Sequence, residues 1–305
     1  MNAIEPSRMM ERMMGGNPKR FLDDHWRRRT LIMRDALPEM RSVYNIAEFL
    51  DDYRQIDFHR ATLIIDIIDG RRRFTVPSTL SQMSRALKHG SSIALQALKL
   101  PSNLNPIPFR WRSMIELHSA LCAYFLPCFP PRAFFNFPVS ALDIFCSISR
   151  STTGGHYDTG DVFFVCLEGE KEWTVEHKAD PKAFEEYYSR QVDSGIDSGP
   201  DCEPGGETTT VVLSPGDCLY MPPYTYHRVT SAGPSLGVSF GLPAFNAIHL
   251  LASKLPLLRS RAEFTTLLPS APESEPSLYA AAKAEQLHQL RGLLEVLLQD
   301  VGNIA

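Results

Sequence analysis

The chain has 305 residues, 44% of them hydrophobic and 22% charged, with a formal net charge of −4. That length accommodates one large decorated domain or two domains, and the composition is that of an ordinary globular protein. The small negative charge gives no global pull toward nucleic acid or an anionic membrane.

From the N-terminus, residues 1–18 read as a flexible start, with Gly15-Gly16-Asn17-Pro18 as a break. They lack the apolar core of a signal peptide. No uninterrupted apolar run reaches the ~18 residues that span a bilayer. The expected location is cytoplasmic, with no membrane partner and no nucleic acid indicated.

Residues 19–133 read as a mixed segment packed on a later barrel. Phe21 to Trp26 suggests a short amphipathic helix and Thr30 to Arg34 a strand. Helical spacing of Ile46, Phe49, Leu50 and Tyr53 marks 43–54. Ile64 to Ile68 is a short strand or helical turn, 80–88 a helix, and 92–98 a strand or short helix. A helix over 110–125 carries Trp111, Met114, Ile115, His118, Leu121 and Cys122 on one stripe, which makes His118 a packing residue. The arginine runs 27–29 and 71–73 read as solvated faces or ion-paired structural arginines.

From 134 the text becomes short β-rich runs between Gly, Pro and Asp turns. Candidate strands are 134–138, 143–149, 161–167, 171–176, 208–213, 217–221, 226–231 and 236–241. Eight such runs predict a sandwich, barrel or jelly roll. Residues 189–207, rich in Gly, Ser and Pro, read as a flexible insertion. The remainder, 245–305, is helical. Its stripe of Leu287, Leu290, Leu293, Leu294, Leu297 and Val301 must be covered, either by the barrel or by a second copy in a homodimer. None of the six cysteines forms a C-x-x-C pair, so free thiols are expected.

One constellation carries chemistry. In extended backbone, His156 and Asp158 point to the same side and can face one metal ion. His227, after the turn at Pro215-Gly216-Asp217 and the corner at Pro222-Pro223, is the natural third ligand. Two histidines and a carboxylate leaving open positions make the facial triad of non-haem Fe(II) oxygenases. H-x-D alone is a common accident, and the strand context on both sides raises its weight. In 171–176, Lys171 shares the apolar side with Trp173 and Val175. A lysine aimed into a barrel is costly unless it meets an anion such as a dicarboxylate; the alternative is a strand-end lysine that snorkels outward. Tyr157 and Trp173 read as structural, His177 as a surface residue, and Asp217 and Tyr220 as turn and barrel-wall residues.

The text from His156 through Phe164, then Leu167 to Trp173, and the later Leu213 to Pro223 with His227, resembles the Jumonji C (JmjC) oxygenases. The nearest likeness is to the ribosomal-oxygenase branch, which comprises cupin-like protein hydroxylases. Phe21 to Trp26 and Leu31 to Arg34 are similar to the entry segment of that branch.

The resemblance implies a mainly β core with helical decorations: a double-stranded β-helix (jelly-roll or cupin) barrel over 134–244, an N-terminal α/β segment, and C-terminal helices. It implies Fe(II), 2-oxoglutarate and O₂, with His156, Asp158 and His227 as metal ligands. It also implies that Lys171 pairs with the distal carboxylate of 2-oxoglutarate, and that Ser147, Thr153 and Ser239 add hydroxyl contacts. The implied activity is a 2-oxoglutarate-dependent dioxygenase hydroxylating a protein, peptide or amino-acid-like small molecule. Residues 245–305 are too short and too helical for the winged-helix region of that branch, which leaves the substrate open. The competing readings are an N-methyl demethylase with the same iron chemistry and a cupin metalloprotein or binding module that needs no 2-oxoglutarate.

Overall fold

The computed structural model describes residues 6–55, 62–69, 71–77, 79–96, 109–125, 141–194 and 198–243, with scattered helical positions between 277 and 295. The chain divides into two units, residues 1–129 with 137–244, and 130–136 with 245–305. The first holds everything discussed below. The candidate strand 134–138 and the whole stripe from Leu287 to Val301 lie outside the described residues.

The N-terminus departs from expectation. Pro6–Met13 is a helix, α1, with Met9 and Met13 buried, where a flexible start was expected. The break at Gly15 to Pro18 begins a second helix, α2 (Pro18–Asp24), because the Asn17 side chain accepts from Arg20 N and Pro18 occupies the first turn. Then come β1 (Leu31–Met33), α3 (Ile46–Gln55), the hairpin β2 (Thr62–Ile68) and β3 (Arg71–Thr75), α4 (Leu80–Lys88), β4 (Ser92–Gln96) and α5 (Phe109–Phe125). α4 starts where the Thr79 hydroxyl accepts from Gln82 N.

The barrel strands follow: β5 (Ala141–Ser147), β6 (Ser151–Thr152), β7 (His156–Tyr157), β8 (Gly160–Gly169) and β9 (Lys171–Glu176). After α6 (Pro181–Ser194) and β10 (Ser198–Pro200) come β11 (Thr208–Leu213), β12 (Cys218–Met221), β13 (Tyr226–Ser231) and β14 (Ser235–Pro243). Two antiparallel sheets result. The larger runs β1-β12-β8-β14-β5-β4-β2-β3-β10, and the smaller runs β11-β9-β13-β6 with β7 paired to β13. Phe164, Cys166, Leu219 and Met221 of the large sheet meet Trp173, Val175, Val211, Leu213 and Val229 of the small one in a buried core. Alternate residues face inward on both sheets, as in a jelly roll.

The N-terminal segment is built into this barrel. β1 extends the large sheet at β12, while β2 to β4 extend it at β5. Phe21 packs edge-on against Tyr220 at 4.7 Å, and Trp26 stacks on Phe125 at 4.0 Å. Tyr220 Oη donates to Asp161 at 2.6 Å and accepts from Arg27 N at 2.8 Å, while Arg27 Nε reaches Asp161 at 3.2 Å.

The stretch 189–207 also departs from a flexible insertion. Residues up to 194 continue α6, 198–200 pair with β3, and Asp201 bonds to the barrel through Gly155 N and Arg228. Cys122, Cys146, Cys166, Cys202 and Cys218 are free thiols, and Cys128 lies outside the described residues. Among the described residues no helix is long and apolar enough to cross a membrane.

Candidate active site

β13 brings the two histidines together. In its antiparallel register with β7, His227 lies directly opposite His156, and the ring centroids are 4.0 Å apart. Asp158, two residues beyond His156, stands beside both. Its carboxylate oxygens lie 3.9 Å from His156 Nε2 and 3.5 Å from His227 Nε2. One potential ligand atom from each of the three falls within 4.8 Å of the others.

The other face of each ring is fixed. His156 Nδ1 donates to Gly154 O and His227 Nδ1 to Thr225 O, both at 3.1 Å. A carbonyl only accepts, so Nδ1 carries the proton and Nε2 presents a lone pair, the form a metal ligand needs. Burial, then the Arg72 charge and His227, hold His156 well below the ordinary imidazole pKa. Burial likewise lowers His227, with Asp158 opposing. Both rings therefore stay neutral at pH 7. This donor set fits a divalent metal of the iron type.

The triad lies in the wall of a cavity of about 370 Å³, a size typical of small-molecule sites (~300–1,000 Å³). Lys171 lines the same cavity and is 3% exposed, so its side chain goes inward and does not snorkel. Nζ donates to Ser231 Oγ at 3.2 Å, and Ser235 Oγ donates to Ser231 Oγ at 2.9 Å. Burial pushes the Lys171 pKa down to about 8, with Cys146 and Cys166 opposing.

Of the expected hydroxyl contacts, Thr153 and Ser239 line the cavity. The Thr153 hydroxyl also accepts from Val229 N at 3.3 Å. Ser147 is fully buried behind the wall, where Ser151 Oγ donates to it at 2.8 Å and Ser92 Oγ lies 3.4 Å away. Trp173 is a wall residue stacked on His227 at 5.8 Å. Tyr157 packs among Tyr187, Cys202 and Tyr226. His118 is a buried packing residue, His177 is exposed, and Asp217 is a turn residue gripped by Arg34, Asp35 N and Ser214 N.

Three features of the site were not anticipated. Arg72, read as a solvated or structural arginine, is buried and lines the cavity with His156, Asp158 and His227. Ser231 backs Lys171; the inward alternation His227, Val229, Ser231 was the available signal. α6 supplies Phe184, Tyr187 and Tyr188 to the cavity. Its signals were an Asp180 cap, which accepts from Ala183 N at 3.0 Å, Pro181 in the first turn, and aromatic residues at helical spacing.

The JmjC domain family model matches residues 134–250 of this chain. That segment is similar to the JmjC domain over its barrel strands and the candidate metal cluster.

Proteins named ribosomal oxygenases are among those this chain resembles. Ribosomal oxygenase 2 of Bos taurus is 38% identical over 73 residues, 24% of this chain and 14% of that protein. A solved structure of Escherichia coli YcfD matches 91% of this chain and 67% of its own, at TM-score 0.55 and 17% identity. A second, titled a ribosomal oxygenase in complex with cobalt and 2-oxoglutarate, matches 89% of this chain and 66% of its own, at TM-score 0.54 and 18% identity. At such identities the likeness is one of fold. The chain thus spans a small part of the bovine relative and about two thirds of the bacterial one.

Proposed function

We propose that the chain is an Fe(II)- and 2-oxoglutarate-dependent dioxygenase that hydroxylates a protein, peptide or amino-acid-like substrate. The observation that carries this reading is the sharing of one cavity by the His156–Asp158–His227 triad and a buried, carboxylate-free Lys171. A lysine in such a place is costly without an anion. Among the described residues, its one hydrogen-bond partner is Ser231. The Trp173 indole N–H, also in the cavity wall, has no acceptor among the described residues. An oxygen-rich dicarboxylate would satisfy both donors. The complex of YcfD with cobalt and 2-oxoglutarate gives the reading a precedent in the same fold.

His156, Asp158 and His227 would hold the iron, and bound iron with 2-oxoglutarate supplies the oxidising power for a C–H bond. The chain's own residues do the rest. Gly154 O and Thr225 O keep both imidazoles in the ligating tautomer. Lys171, braced by Ser231 and Ser235, fixes the far end of the cosubstrate. Trp173, Phe164 and Met221 exclude water from the inner wall.

Protein prepared without oxygen, then given Fe(II), ascorbate, O₂ and 2-oxoglutarate, should form succinate slowly, as followed by NMR. His156→Ala should abolish it. Lys171→Ala should raise the 2-oxoglutarate requirement by about thirtyfold or more, the cost of removing one partner of a buried charge pair. No succinate and no 2-oxoglutarate binding by the intact protein would overturn the proposal. Formaldehyde as co-product would replace hydroxylation by N-demethylation.

A further inference from the structure

The oxygenase reading leaves one buried charge in the cavity without a task. Arg72 stands on β3, outside the JmjC segment, and is 7% exposed. Its neighbours Arg71 and Arg73 are exposed, so strand alternation turns one of three successive arginines inward. It lines the cavity together with His156, Asp158 and His227.

Three elements hold this side chain still. Nε donates to Thr153 O at 2.8 Å, in the β6–β7 turn. Nη1 donates to Tyr187 Oη at 3.4 Å, on α6. The guanidinium carbon lies 5.0 Å from the Phe74 ring centre, on β3 itself. The turn is shaped to admit the stem: at Gly154, with φ +70°, a Cβ would come 2.9 Å from Arg72 Cγ. These bonds use two of the five guanidinium N–H groups. Among the described residues no carboxylate forms an ion pair with Arg72. A buried cation held rigid, with donors to spare and no ion-paired carboxylate among the described residues, is expensive unless a ligand completes it.

Lys171 cannot be that ligand's sole receiver, because it stands on β9 in the other sheet with its own serine brace. The cavity therefore presents two cations on separate walls. A guanidinium fork matches a carboxylate with two parallel N–H bonds, which an ammonium cannot do. Phe184, Tyr187 and Tyr188 of α6 give apolar cover next to it.

Resting on the oxygenase reading of this site, we infer that Arg72 receives a carboxylate of the substrate, and that the chain acts on an acidic substrate. That carboxylate belongs either to an aspartate or glutamate side chain within a peptide or to a free amino-acid-like molecule. Arg72 is then a specificity residue: it sets what enters beside the metal, and takes no part in binding 2-oxoglutarate.

The test uses the full chain loaded with Mn(II) and 2-oxoglutarate, titrated in a calorimeter with two probe pairs. One is a capped pentapeptide with central Glu or Gln between glycines; the other is N-acetylglutamate or N-acetylglutamine. The wild type should prefer the acid within at least one pair by about tenfold or more, and the preferring pair tells peptide from small molecule. Arg72→Gln should reduce that preference to near one, and Arg72→Lys should keep part of it. Both variants should bind Mn(II) and 2-oxoglutarate within about twofold of wild type, which shows that they are folded. Should Arg72→Gln not fold, Arg72→Lys alone decides: a preference equal to that of wild type overturns the inference. No preference in the wild type, a preference kept in Arg72→Gln, or a large loss of 2-oxoglutarate affinity in a folded Arg72 variant also overturns it. Failure of the oxygenase reading looks different: the wild type itself would not bind 2-oxoglutarate, and the probe titrations, repeated with Mn(II) alone, would still report on Arg72.

Discussion

Lys171 shows how far a single residue could be read from sequence. Period-two alternation put it on the apolar side of its strand, and parity could not distinguish an inward ammonium from one that snorkels. The structure buries it against Ser231. Its lowered pKa has a directional consequence for the proposed cosubstrate. The ammonium of the unliganded protein is present below pH 8 and lost as pH rises through about 8. A dicarboxylate should bind to the charged form, so its affinity should be flat from pH 6 to 7.5 and fall about tenfold per unit well above 8. Calorimetric titration of the Mn(II)-loaded protein from pH 6.5 to 9.5 checks this, and Lys171→Arg should abolish the fall. The clustering of His156, Asp158 and His227 could be anticipated because H-x-D fixes parity and His227 follows a strand and a proline corner. Arg72 was not legible. Among three consecutive arginines, sequence gives no sign of which one turns inward, and the carbonyl and hydroxyl that hold it lie 81 and 115 residues away.

At the scale of elements, strands and helices with a clear period emerged close to where they were expected, from α4 at 80–88 to β13 at 226–231. The misreadings fell where turn residues sit inside elements or cap them. Asn17-Pro18 opens a helix, and the Gly- and Ser-rich stretch after 189 first ends α6 and then pairs as β10. The β6–β7 turn is sensitive to single changes. At Gly154 a side chain would meet Ile67 Cδ1 at 2.6 Å and Arg72 Cγ at 2.9 Å, on a backbone with positive φ. Gly154→Ala should cost about 1–3 kcal/mol and weaken Mn(II) binding, since Gly154 O also orients His156. Denaturant midpoints and Mn(II) relaxation titrations read both effects. Gly233→Ala is the control, because a Cβ there has nothing within 4 Å.

At the scale of the whole described molecule, the JmjC segment depends on what precedes it. Residues 134–250 alone would lose β1 to β4 from the large sheet, leaving β12 and β5 with open edges. Phe163 and Tyr220 would lose the cover of Phe21. Burial already lifts the Asp161 carboxyl to about 6, with Tyr220 and Arg27 opposing, and the fragment would lack Arg27. A group whose folded pKa is raised above its unfolded value stabilises the fold at low pH and loses that contribution as pH rises through about 6. The fragment would thus hold a buried Asp161 carboxyl with its guanidinium partner gone. The fragment should give collapsed, poorly dispersed ¹H–¹⁵N spectra under conditions where the full chain gives dispersed ones. Dispersed fragment spectra would show that the N-terminal strands are ornaments.

The outer strands of the large sheet have a consequence for how the protein behaves at high concentration. Nine strands make a broad sheet, and an open border of unpaired N–H and C=O groups invites other chains to add on. Among the described residues both borders, β1 and β10, are only three residues long. β10 reads Ser-Gly-Pro, and its proline has no N–H to offer an incoming strand. The stretch expected as a flexible insertion ends the described sheet at this border, leaving little ladder on which aggregation could start.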